Sequence, residues 1–445
     1  MINILYFIIF ISINILSVFS GTVLLLSYGT VAIFLSWLIY LYNRNKVFFI
    51  SHIYIFYAIT STLIVSIFLE HGVYLIEINT LSHSTNLPIK ASFQVFCFIV
   101  GSLFIFKTLL KSNLIVVNLT ANSNLIIRIF FYLLTIFFIG VLFVIASIYG
   151  TPLSHGVHRN DYWTFYAPSW GAIPTYWLMQ LTFIFGYFYS KYKQKYDIYF
   201  FLGSLITIFL MGERFTGLLY SLVFFSIPLL LTNTQIQLKL SSTKKIIFVC
   251  SSIFFISFAL YNSFIKSQSS LNPLEQVLMR SSLQSQMWWA LEKKAEISPK
   301  SSDVILKNYF GWGIAERYSG VYYLMDQVSD QSIVNDRYES NSRFTMSGFI
   351  NNIYIFGYIF GTFVNFLWGL IFGLITYCFY IGIKSLNIIY VFISFKLLFK
   401  IQATLLNGSI PDLFSLETLI FLSMLIFFLR FSQTQITHFD PMKNN

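Results

Sequence analysis

The sequence predicts an all-α, polytopic integral membrane protein with about twelve transmembrane helices, and three observations support this fold class. First, only 10% of the 445 residues are charged and 57% are hydrophobic, whereas soluble domains carry about 25% charged residues. Second, apolar runs of about 20 residues, long enough to cross a hydrocarbon core, recur along the chain. Third, basic residues collect in alternate connecting segments. This composition excludes a soluble enzyme, a disordered chain and a nucleic-acid-binding protein, despite a net charge of +11.

The individual spans follow from the apolar runs. We predict membrane helices at 2–20, 21–42, 48–69, 91–110, 129–148, 173–190, 198–212, 215–232, 246–262, 358–383, 388–406 and 413–429. The first run resembles the apolar part of a signal peptide, but it has no basic segment before it and leads directly into a second span. We therefore expect an uncleaved first helix and treat 1–445 as a single transmembrane domain.

The charges of the connecting segments set the predicted orientation. With twelve spans, six segments fall on the same side as the N-terminus, and together they carry a net charge of +11. These segments are 43–47, 111–128, 191–197, 233–245, the segment at Lys384, and 430–445. Because Lys and Arg in short segments favour the cytoplasmic side, we predict that both termini are cytoplasmic.

Two segments on the opposite, outer side are long enough to contribute a site. Segment 149–172 is short and rich in aromatic residues, whereas segment 263–346 is long and has nine basic and nine acidic residues. Within the long segment, apolar residues recur near helical spacing over 274–291. This pattern predicts an amphipathic helix that lies at the membrane interface.

Arginine is concentrated on the outer side. Six of the nine arginines lie there, namely Arg159, Arg214, Arg280, Arg317, Arg337 and Arg343. Guanidinium groups bind phosphate in a bidentate manner and stay protonated, so the set favours an anionic substrate with a phosphate group. Surface salt bridges are the alternative for each arginine. Arg214 stands out, because it lies in a turn so short that its charge must sit at the membrane boundary.

Aromatic and amide side chains accompany these arginines. Tyr162 and Trp163 follow Arg159 in the short segment, and the long segment holds three further candidates, Gln284, Trp288 and Tyr318. Aromatic rings stack on sugar faces and amides hydrogen-bond sugar hydroxyls, so we predict that these five residues contact a sugar. An aromatic belt at the membrane interface is the alternative for the aromatic residues.

A metal site has little support in the sequence. His155, His158 and Asp161 are spaced three residues apart, which is a weak metal-binding pattern. No pair of carboxylates has the spacing of a divalent-ion motif. We therefore expect a metal-independent protein without a cofactor, in which arginines neutralise a phosphate-containing leaving group.

Four motifs together resemble the O-antigen polymerase family (Wzy), bacterial enzymes that polymerise lipid-linked O-antigen repeat units. They are HRNDYW at 158–163, GERF at 212–215, RSSLQSQMWW at 280–289, and RFTM at 343–346, the last followed by a glycine-containing span. Chain length, about twelve spans and one long outer segment late in the chain fit the same picture.

The resemblance implies a glycosyltransferase of the bacterial inner membrane with a GT-C-like helical fold and an active site facing the periplasm. Such an enzyme takes a growing glycan from undecaprenyl pyrophosphate and transfers it to the non-reducing end of an incoming undecaprenyl-pyrophosphate-linked repeat unit. Its partners would be these two lipid-linked oligosaccharides, membrane lipid and a chain-length regulator protein, with no nucleic acid.

Roles for individual residues follow from this reaction. The leaving pyrophosphate needs cations, for which Arg159, Arg214, Arg280, Arg317 and Arg343 are the candidates. The attacking hydroxyl needs a carboxylate base within hydrogen-bond reach, for which the candidates are Asp161, Glu213 and Glu316. Two alternatives remain open: an O-antigen ligase, which transfers the glycan to lipid A–core, and a flippase or other transporter of lipid-linked oligosaccharides.

Overall fold

The computed structural model describes residues 2–111, 121–157, 159–213, 216–232, 281–385 and 387–438, and these residues are mostly helical. The helices before the first long gap are α1 (Ile2–Phe19), α2 (Leu24–Arg44), α3 (Lys46–Ser51), α4 (Ile53–Glu70), α5 (Leu87–Leu110), α6 (Ala121–Tyr149), α7 (Pro152–His155), α8 (Arg159–Asp161), α9 (Ala172–Tyr192), α10 (Lys195–Leu210) and α11 (Thr216–Thr232). The helices after it are α12 (Gln286–Lys294), α13 (Ser302–Val304), α14 (Gly320–Asp326), α15 (Gln331–Glu339), α16 (Gly348–Ser385), α17 (Ile388–Asn407) and α18 (Leu416–His438).

Shorter elements connect these helices. Residues Tyr162–Tyr166 and Ile305–Tyr309 form π-helical turns, whereas Ser169–Gly171, Glu316–Tyr318 and Ile410–Phe414 form 3₁₀ turns. An antiparallel pair of two-residue strands, β1 (Tyr74–Leu75) and β2 (Thr80–Leu81), follows α4, with Tyr74 opposite Leu81. Apart from this small hairpin, the predicted all-α class therefore fits the residues that the structure describes.

Seven of the helices in the described part of the chain are long and apolar enough to cross a membrane. They are α1, α2, α4, α5, α16, α17 and the stretch Leu125–His155, which includes most of α6. Gly217–Thr232 and Leu416–Phe428 are shorter apolar helices. The chain is thus a helical, multi-pass membrane protein by length and composition. The predicted span 246–262 lies outside the described residues.

The chain divides into two compact units. The first comprises 1–116, 274–381 and 393–445, and the second comprises 117–273 and 382–392. In the first unit, α5 packs against α1, α2 and α4. Aromatic rings fill this contact: Phe96 of α5 lies 4.5 Å from Trp37 and 4.8 Å from Phe10 between ring centroids. Such aromatic pairs add to the stabilisation that burial of their surface provides.

Helix α16 consists of two parts that meet at Gly357. This residue has φ +75°, a left-handed conformation that glycine adopts without strain. The first part folds back on the second, since Asn352 donates a hydrogen bond of 2.7 Å to Asn365. The second part begins at Tyr358, the residue at which the predicted span begins, whereas the sequence pattern did not predict the helical part before the break.

The described part of the predicted interfacial helix over 274–291 is buried within the protein. Residues 274–280 lie outside the described residues, and α12 continues the segment. Met287, Trp288, Trp289 and Leu291 are all buried, and α12 contacts α4 and α5. Residues 283–285 form a turn, so only the end of the predicted helix coincides with α12, and the apolar face of α12 packs on other helices of the first unit.

In the second unit, α9 packs against α6, α10 and α11. A buried ion pair joins α6 to α10: Arg128 donates hydrogen bonds of 3.1 Å to both carboxylate oxygens of Asp197. Tyr132 also donates a hydrogen bond to Asp197 and accepts one of 2.7 Å from Arg128 Nε. Because unpaired charges are costly to bury, this cluster specifies how the two helices pack.

Candidate functional site

Arg343 is the centre of a charged cluster in the first unit. It donates a hydrogen bond of 2.7 Å to Asp412 and one of 2.6 Å to Glu316. The guanidinium carbon lies 5.4 Å from the centroid of the Tyr322 ring. We call these four residues the Arg343 cluster. It contains one cation and two carboxylates, and Glu316 is the most exposed of its charged side chains.

Three chain segments assemble the Arg343 cluster. Arg343 follows α15, Glu316 begins the turn Glu316–Tyr318, and Asp412 lies in the turn Ile410–Phe414 between the apolar helices α17 and α18. Tyr322 comes from α14 and also donates a hydrogen bond of 3.2 Å to the Ser342 carbonyl. The cluster therefore lies where the long segment meets the connection between α17 and α18.

The electrostatics of the cluster keep Arg343 charged. Burial alone would lower the pKa of Arg343, but the Asp412 carboxylate and the Tyr322 hydroxyl raise it, and the net shift is upward. Burial raises the pKa of Tyr322, and Arg343 opposes part of that shift. Arg343 is thus a permanent cation beside a neutral phenol, an arrangement that can bind an anionic ligand.

Arg317 makes a second charged contact next to the Arg343 cluster. It binds Asp326 in a bidentate manner, with hydrogen bonds of 2.6 and 2.9 Å. It also donates to Asn335 Oδ1 at 2.9 and 3.1 Å. Its hydrogen bond to Asp326 raises the pKa of Arg317, and burial opposes the shift. Since four donated bonds hold the guanidinium, Arg317 fixes the turn that carries Glu316.

The residues of the second unit that the sequence singled out form a separate charged contact. Arg159 pairs with Glu213, which is buried. Gly212 has φ +85°, and a Cβ atom there would lie 3.0 Å from the Cβ atom of Arg159. Because only glycine fits this turn without strain, Gly212 brings Glu213 next to Arg159. Arg214 lies outside the described residues.

Asp161 has a different environment from Glu213. It ends the short helix α8 and is partly exposed. Among the described residues, it has no ion-pair partner. Of the two candidate bases in this unit, Asp161 therefore has the more accessible carboxylate, whereas Glu213 is held by Arg159.

Two of the predicted sugar contacts in this unit are buried. Tyr162 donates a hydrogen bond of 2.7 Å to the Gly150 carbonyl, and burial raises its pKa. Trp163 is also buried, with its ring centroid 4.9 Å from that of Tyr162. These rings stabilise the segment from inside, which argues against the predicted contact with a sugar.

The predicted sugar contacts in the first unit differ from one another. Trp288 is 2% exposed, and its indole donates a hydrogen bond of 2.7 Å to the Met346 carbonyl, so it offers no face to a ligand. Gln284 is partly exposed in a turn before α12. Tyr318 is exposed, and the Arg317 guanidinium carbon lies 5.6 Å from its ring centroid. Tyr318 and Gln284 therefore remain available to a ligand, and Tyr318 lies beside the Arg343 cluster in the chain. Arg280 lies outside the described residues.

The RFTM motif also carries a conformational feature. Met346 is buried and has φ +61°, a backbone conformation that residues other than glycine rarely adopt. Its carbonyl accepts the Trp288 hydrogen bond. Strain of this kind persists where the surrounding contacts impose it, and it is common at functional sites. The motif thus places Arg343 at the start of a tightly constrained turn.

The histidine pattern shows no metal geometry in the residues that the structure describes. His155 bonds through Nε2 to the Tyr149 carbonyl at 2.7 Å, and His158 lies outside the described residues. In the described ranges, no group of three or more His, Cys, Asp or Glu side chains is arranged to hold a metal ion.

Sequence reasoning missed the partners of the arginines that it predicted to lie on the outer side. Asp412, Asp326 and Tyr322 were not among the candidates, nor was Glu77, which is buried and accepts hydrogen bonds from Arg337 and Gln286. One feature of the sequence could have indicated two of them. Asp412 and Glu77 are acidic residues in the connecting segments 407–412 and 70–90, which hold few other charges and fall on the predicted outer side. Carboxylates in these segments are natural partners for arginines predicted to lie on the same side.

Comparison with known proteins adds information about one part of the chain. Residues 315–422 match a family described as a family of unknown function, DUF6418. The matched range is well under half of the chain, and it includes the whole Arg343 cluster and Arg317. No curated protein and no solved structure matches the chain. The range that contains the cluster is thus similar to a family without an assigned activity.

Proposed function

We propose that the protein is a metal-independent glycosyltransferase that polymerises O-antigen repeat units at the periplasmic face of the bacterial inner membrane. The observation that carries the proposal is the Arg343 cluster, in which an exposed carboxylate, Glu316, is bound by an arginine where the long segment meets the ends of apolar helices. A reaction between two lipid-linked glycans needs a base and a cation at such a boundary. The same proposal includes about twelve spans, a GT-C-like fold, an inner-membrane location and cytoplasmic termini.

Glu316 is the proposed general base. Its side chain is the most exposed in the cluster, and Arg343 orients it through a hydrogen bond of 2.6 Å. The hydroxyl of the incoming repeat unit gives its proton to this carboxylate while its oxygen bonds to the anomeric carbon of the growing glycan. Asp161 is the second candidate, since it is partly exposed and has no ion-pair partner among the described residues.

Arg343 is the proposed cation for the leaving group. As the bond between the anomeric carbon and the diphosphate oxygen breaks, the electron pair leaves with undecaprenyl pyrophosphate. A guanidinium group stabilises that developing charge best where water is scarce. Arg343 can exchange one of its two carboxylates for a phosphate oxygen, because both partners are partly exposed. Arg159, Arg214, Arg280 and Arg317 are the further arginines of the proposal, and Arg317 acts by fixing the turn of Glu316.

Sugar recognition is assigned to Tyr318 and Gln284. Tyr318 exposes its ring directly after Glu316 and Arg317, so a sugar stacked on it would lie near the base. Gln284 is partly exposed and can hydrogen-bond sugar hydroxyls. The donor and acceptor would both be undecaprenyl-pyrophosphate-linked oligosaccharides held partly in membrane lipid, with a separate protein regulating chain length.

Deletion of the protein followed by electrophoresis of lipopolysaccharide tests this function. Loss of a polymerase leaves lipid A–core that carries one repeat unit. Loss of a ligase would leave bare core with polymer still on the lipid carrier, and loss of a flippase would leave bare core with single lipid-linked units. Either of the last two patterns, or an unchanged ladder, would overturn the proposal.

Complementation then connects the function to the cluster. The deletion strain should regain the full ladder with the wild-type chain and with Lys307→Ala, but not with Arg343→Ala. Lys307→Ala is a suitable control because it removes one cation from the same segment, where Lys307 pairs with the exposed Asp303. Immunoblotting of membranes must show equal amounts of the three proteins.

A further inference from the structure

A cavity in the first unit has features of a binding site outside the Arg343 cluster. Its volume is about 330 Å³, and it lies among α1, α5 and α16. The polar part of its lining consists of Asn14, Lys90, Gln94, Tyr358 and Thr362. Phe93 and Ile359 supply apolar walls. Most of the lining surface is nevertheless apolar, because the polar residues also contribute their hydrocarbon parts, and an apolar surface with a few polar groups is typical of small-molecule sites.

The cavity lies near the ends of three apolar helices. Asn14 is close to the end of α1, Lys90 lies in the first turn of α5, and Tyr358 begins the second part of α16. Ile359 in the cavity wall is 84% exposed, and its neighbour Phe360 is also exposed. Large apolar side chains on the surface of a membrane-spanning helix face lipid. The cavity therefore opens towards the hydrocarbon region close to one membrane boundary.

The polar end of the cavity carries one cation with free hydrogen-bonding capacity. Lys90 pairs with Glu292 of α12, and Tyr358 donates a hydrogen bond to the other oxygen of the same carboxylate. An ammonium group has three donors, and one is used for Glu292. The Lys90 side chain keeps 30% of its surface exposed. Glu292 is held at its other oxygen by Tyr358, so a phosphate at Lys90 competes with Glu292 for the ammonium group and does not need to displace it completely.

The polar groups of the cavity wall near Lys90 already have hydrogen-bond partners. Gln94 donates a hydrogen bond of 2.8 Å to Thr362 and accepts one of 3.1 Å from Asn365. These polar groups have little need for further partners. The remaining demand for a polar ligand is therefore concentrated at Lys90, and the rest of the cavity accommodates an apolar chain.

We infer that this cavity binds a membrane lipid through its phosphate group, with Lys90 contacting a phosphate oxygen and the first part of the lipid tail lying against Phe93 and Ile359. The phosphate can belong to an isoprenoid phosphate or to a phospholipid, since both present the same group on an apolar tail. This inference does not depend on the proposed function, because it concerns binding by other residues.

Native mass spectrometry of the purified full-length protein in mild detergent tests the inference. The probes are farnesyl monophosphate, phosphatidic acid and, as a phosphate-free control, farnesol. Wild type should bind at least one of the two phosphates more tightly than farnesol. Lys90→Ala should weaken that binding about tenfold, the loss of one charge-assisted hydrogen bond. Lys90→Arg should retain it. Tighter binding of farnesyl monophosphate would identify an isoprenoid source, and tighter binding of phosphatidic acid a phospholipid source.

Two further variants test whether the effect is specific to the charge of Lys90. Lys107→Ala removes an exposed cation from the same helix and should leave affinity within twofold of wild type. Glu292→Gln retains the Tyr358 contact but removes the competing charge, so it should tighten phosphate binding several-fold. Equal affinity of wild type and Lys90→Ala, equal binding of farnesol, or weaker binding by Glu292→Gln would each overturn the inference. Thermal unfolding of each variant checks that the fold is retained.

Discussion

Two arginine clusters among the described residues, one at Arg128 and one at Arg343, use the same three kinds of side chain in different surroundings. In the second unit, Arg128 contacts Asp197 and the ring of Tyr132, with the guanidinium carbon 5.3 Å from the ring centroid. In the first unit, Arg343 contacts Asp412 and the ring of Tyr322, at 5.4 Å. The chemistry is nearly identical, but the exposure differs. The side chains of Arg128 and Asp197 are 6% and 0% exposed.

The charged side chains of the Arg343 cluster are more accessible. Arg343, Asp412 and Glu316 are 20%, 33% and 56% exposed. An arginine enclosed with its only carboxylate cannot accept another anion without leaving that carboxylate unpaired. An arginine with two partly hydrated carboxylates can release one of them to water and take a phosphate in its place. Exposure of the partner, more than residue type, therefore separates a structural arginine from a candidate binding residue.

The largest effect on stability is expected for Arg128→Ala. This change leaves the Asp197 charge buried without its cation, although Tyr132 still donates a hydrogen bond to it. Breaking a buried ion pair typically costs about 3–5 kcal/mol. Unfolding in detergent micelles with increasing SDS measures the free energy. Arg44→Ala is the matched control, because Arg44 is an exposed arginine at the end of α2.

A double variant separates burial of the charge from loss of packing. Arg128→Leu combined with Asp197→Leu should be more stable than either single change, since an apolar pair of similar volume leaves no unpaired charge. A double variant that unfolds more easily than both single variants would contradict the interpretation that electrostatic pairing dominates at this site.

The next largest effect is expected for Arg343→Ala, which should lower the polymerisation activity much more than the stability. Under the proposed function, loss of the cation for the leaving group should reduce polymerisation about 100-fold, which corresponds to about 2.7 kcal/mol in activation free energy. Stability should fall by only about 1 kcal/mol, because the two carboxylates left behind are partly hydrated. Glycan-ladder intensity and SDS unfolding of the same preparation give both values. A stability loss as large as that of Arg128→Ala would show that Arg343 is structural.

The helices of the fold were predictable because long apolar runs determine them. Composition indicated a polytopic helical membrane protein, and the predicted span beginning at Tyr358 starts where the second part of α16 starts. The helical part before Gly357 was not predictable, because a glycine that reverses the chain looks the same in sequence as one within a straight helix. The burial of α12 was not predictable either, since an apolar helical face can pack on protein or on lipid.

The site was predictable in its residue types but not in its contacts. The sequence singled out Arg317, Arg343 and Glu316, because arginines and carboxylates on the predicted outer side indicated phosphate binding and proton transfer. Asp412 was missed because it lies 69 residues from its partner Arg343, and one sequence does not show such a pairing. The sequence also does not show side-chain exposure, so Trp288, which is buried, and Tyr318, which is exposed, were both predicted to contact a sugar.

A smaller effect is expected for Arg317→Lys, which tests geometry at constant charge. Lysine cannot reproduce the bidentate contact with Asp326 or the additional bonds to Asn335, so we expect a loss of about 1 kcal/mol in stability. Polymerisation should fall several-fold, because the turn of Glu316 loses its anchor. The SDS unfolding assay and the glycan ladder measure these changes. Unchanged values in both would show that charge alone is sufficient at this position.

The smallest effect is expected for Lys307→Ala, because Lys307 belongs to the most exposed of these ion pairs. Lys307 pairs with Asp303 at 2.9 Å one helical turn away, and their side chains are 49% and 69% exposed. Such pairs stabilise a helix by only about 0.3–0.5 kcal/mol, because water solvates both charges almost as well when they separate. SDS unfolding should therefore place this variant within 0.5 kcal/mol of wild type, in contrast to Arg128→Ala. A loss above about 1 kcal/mol would mean that exposure does not rank the ion pairs of this protein, and the distinction between Arg128 and Arg343 would lose its physical basis.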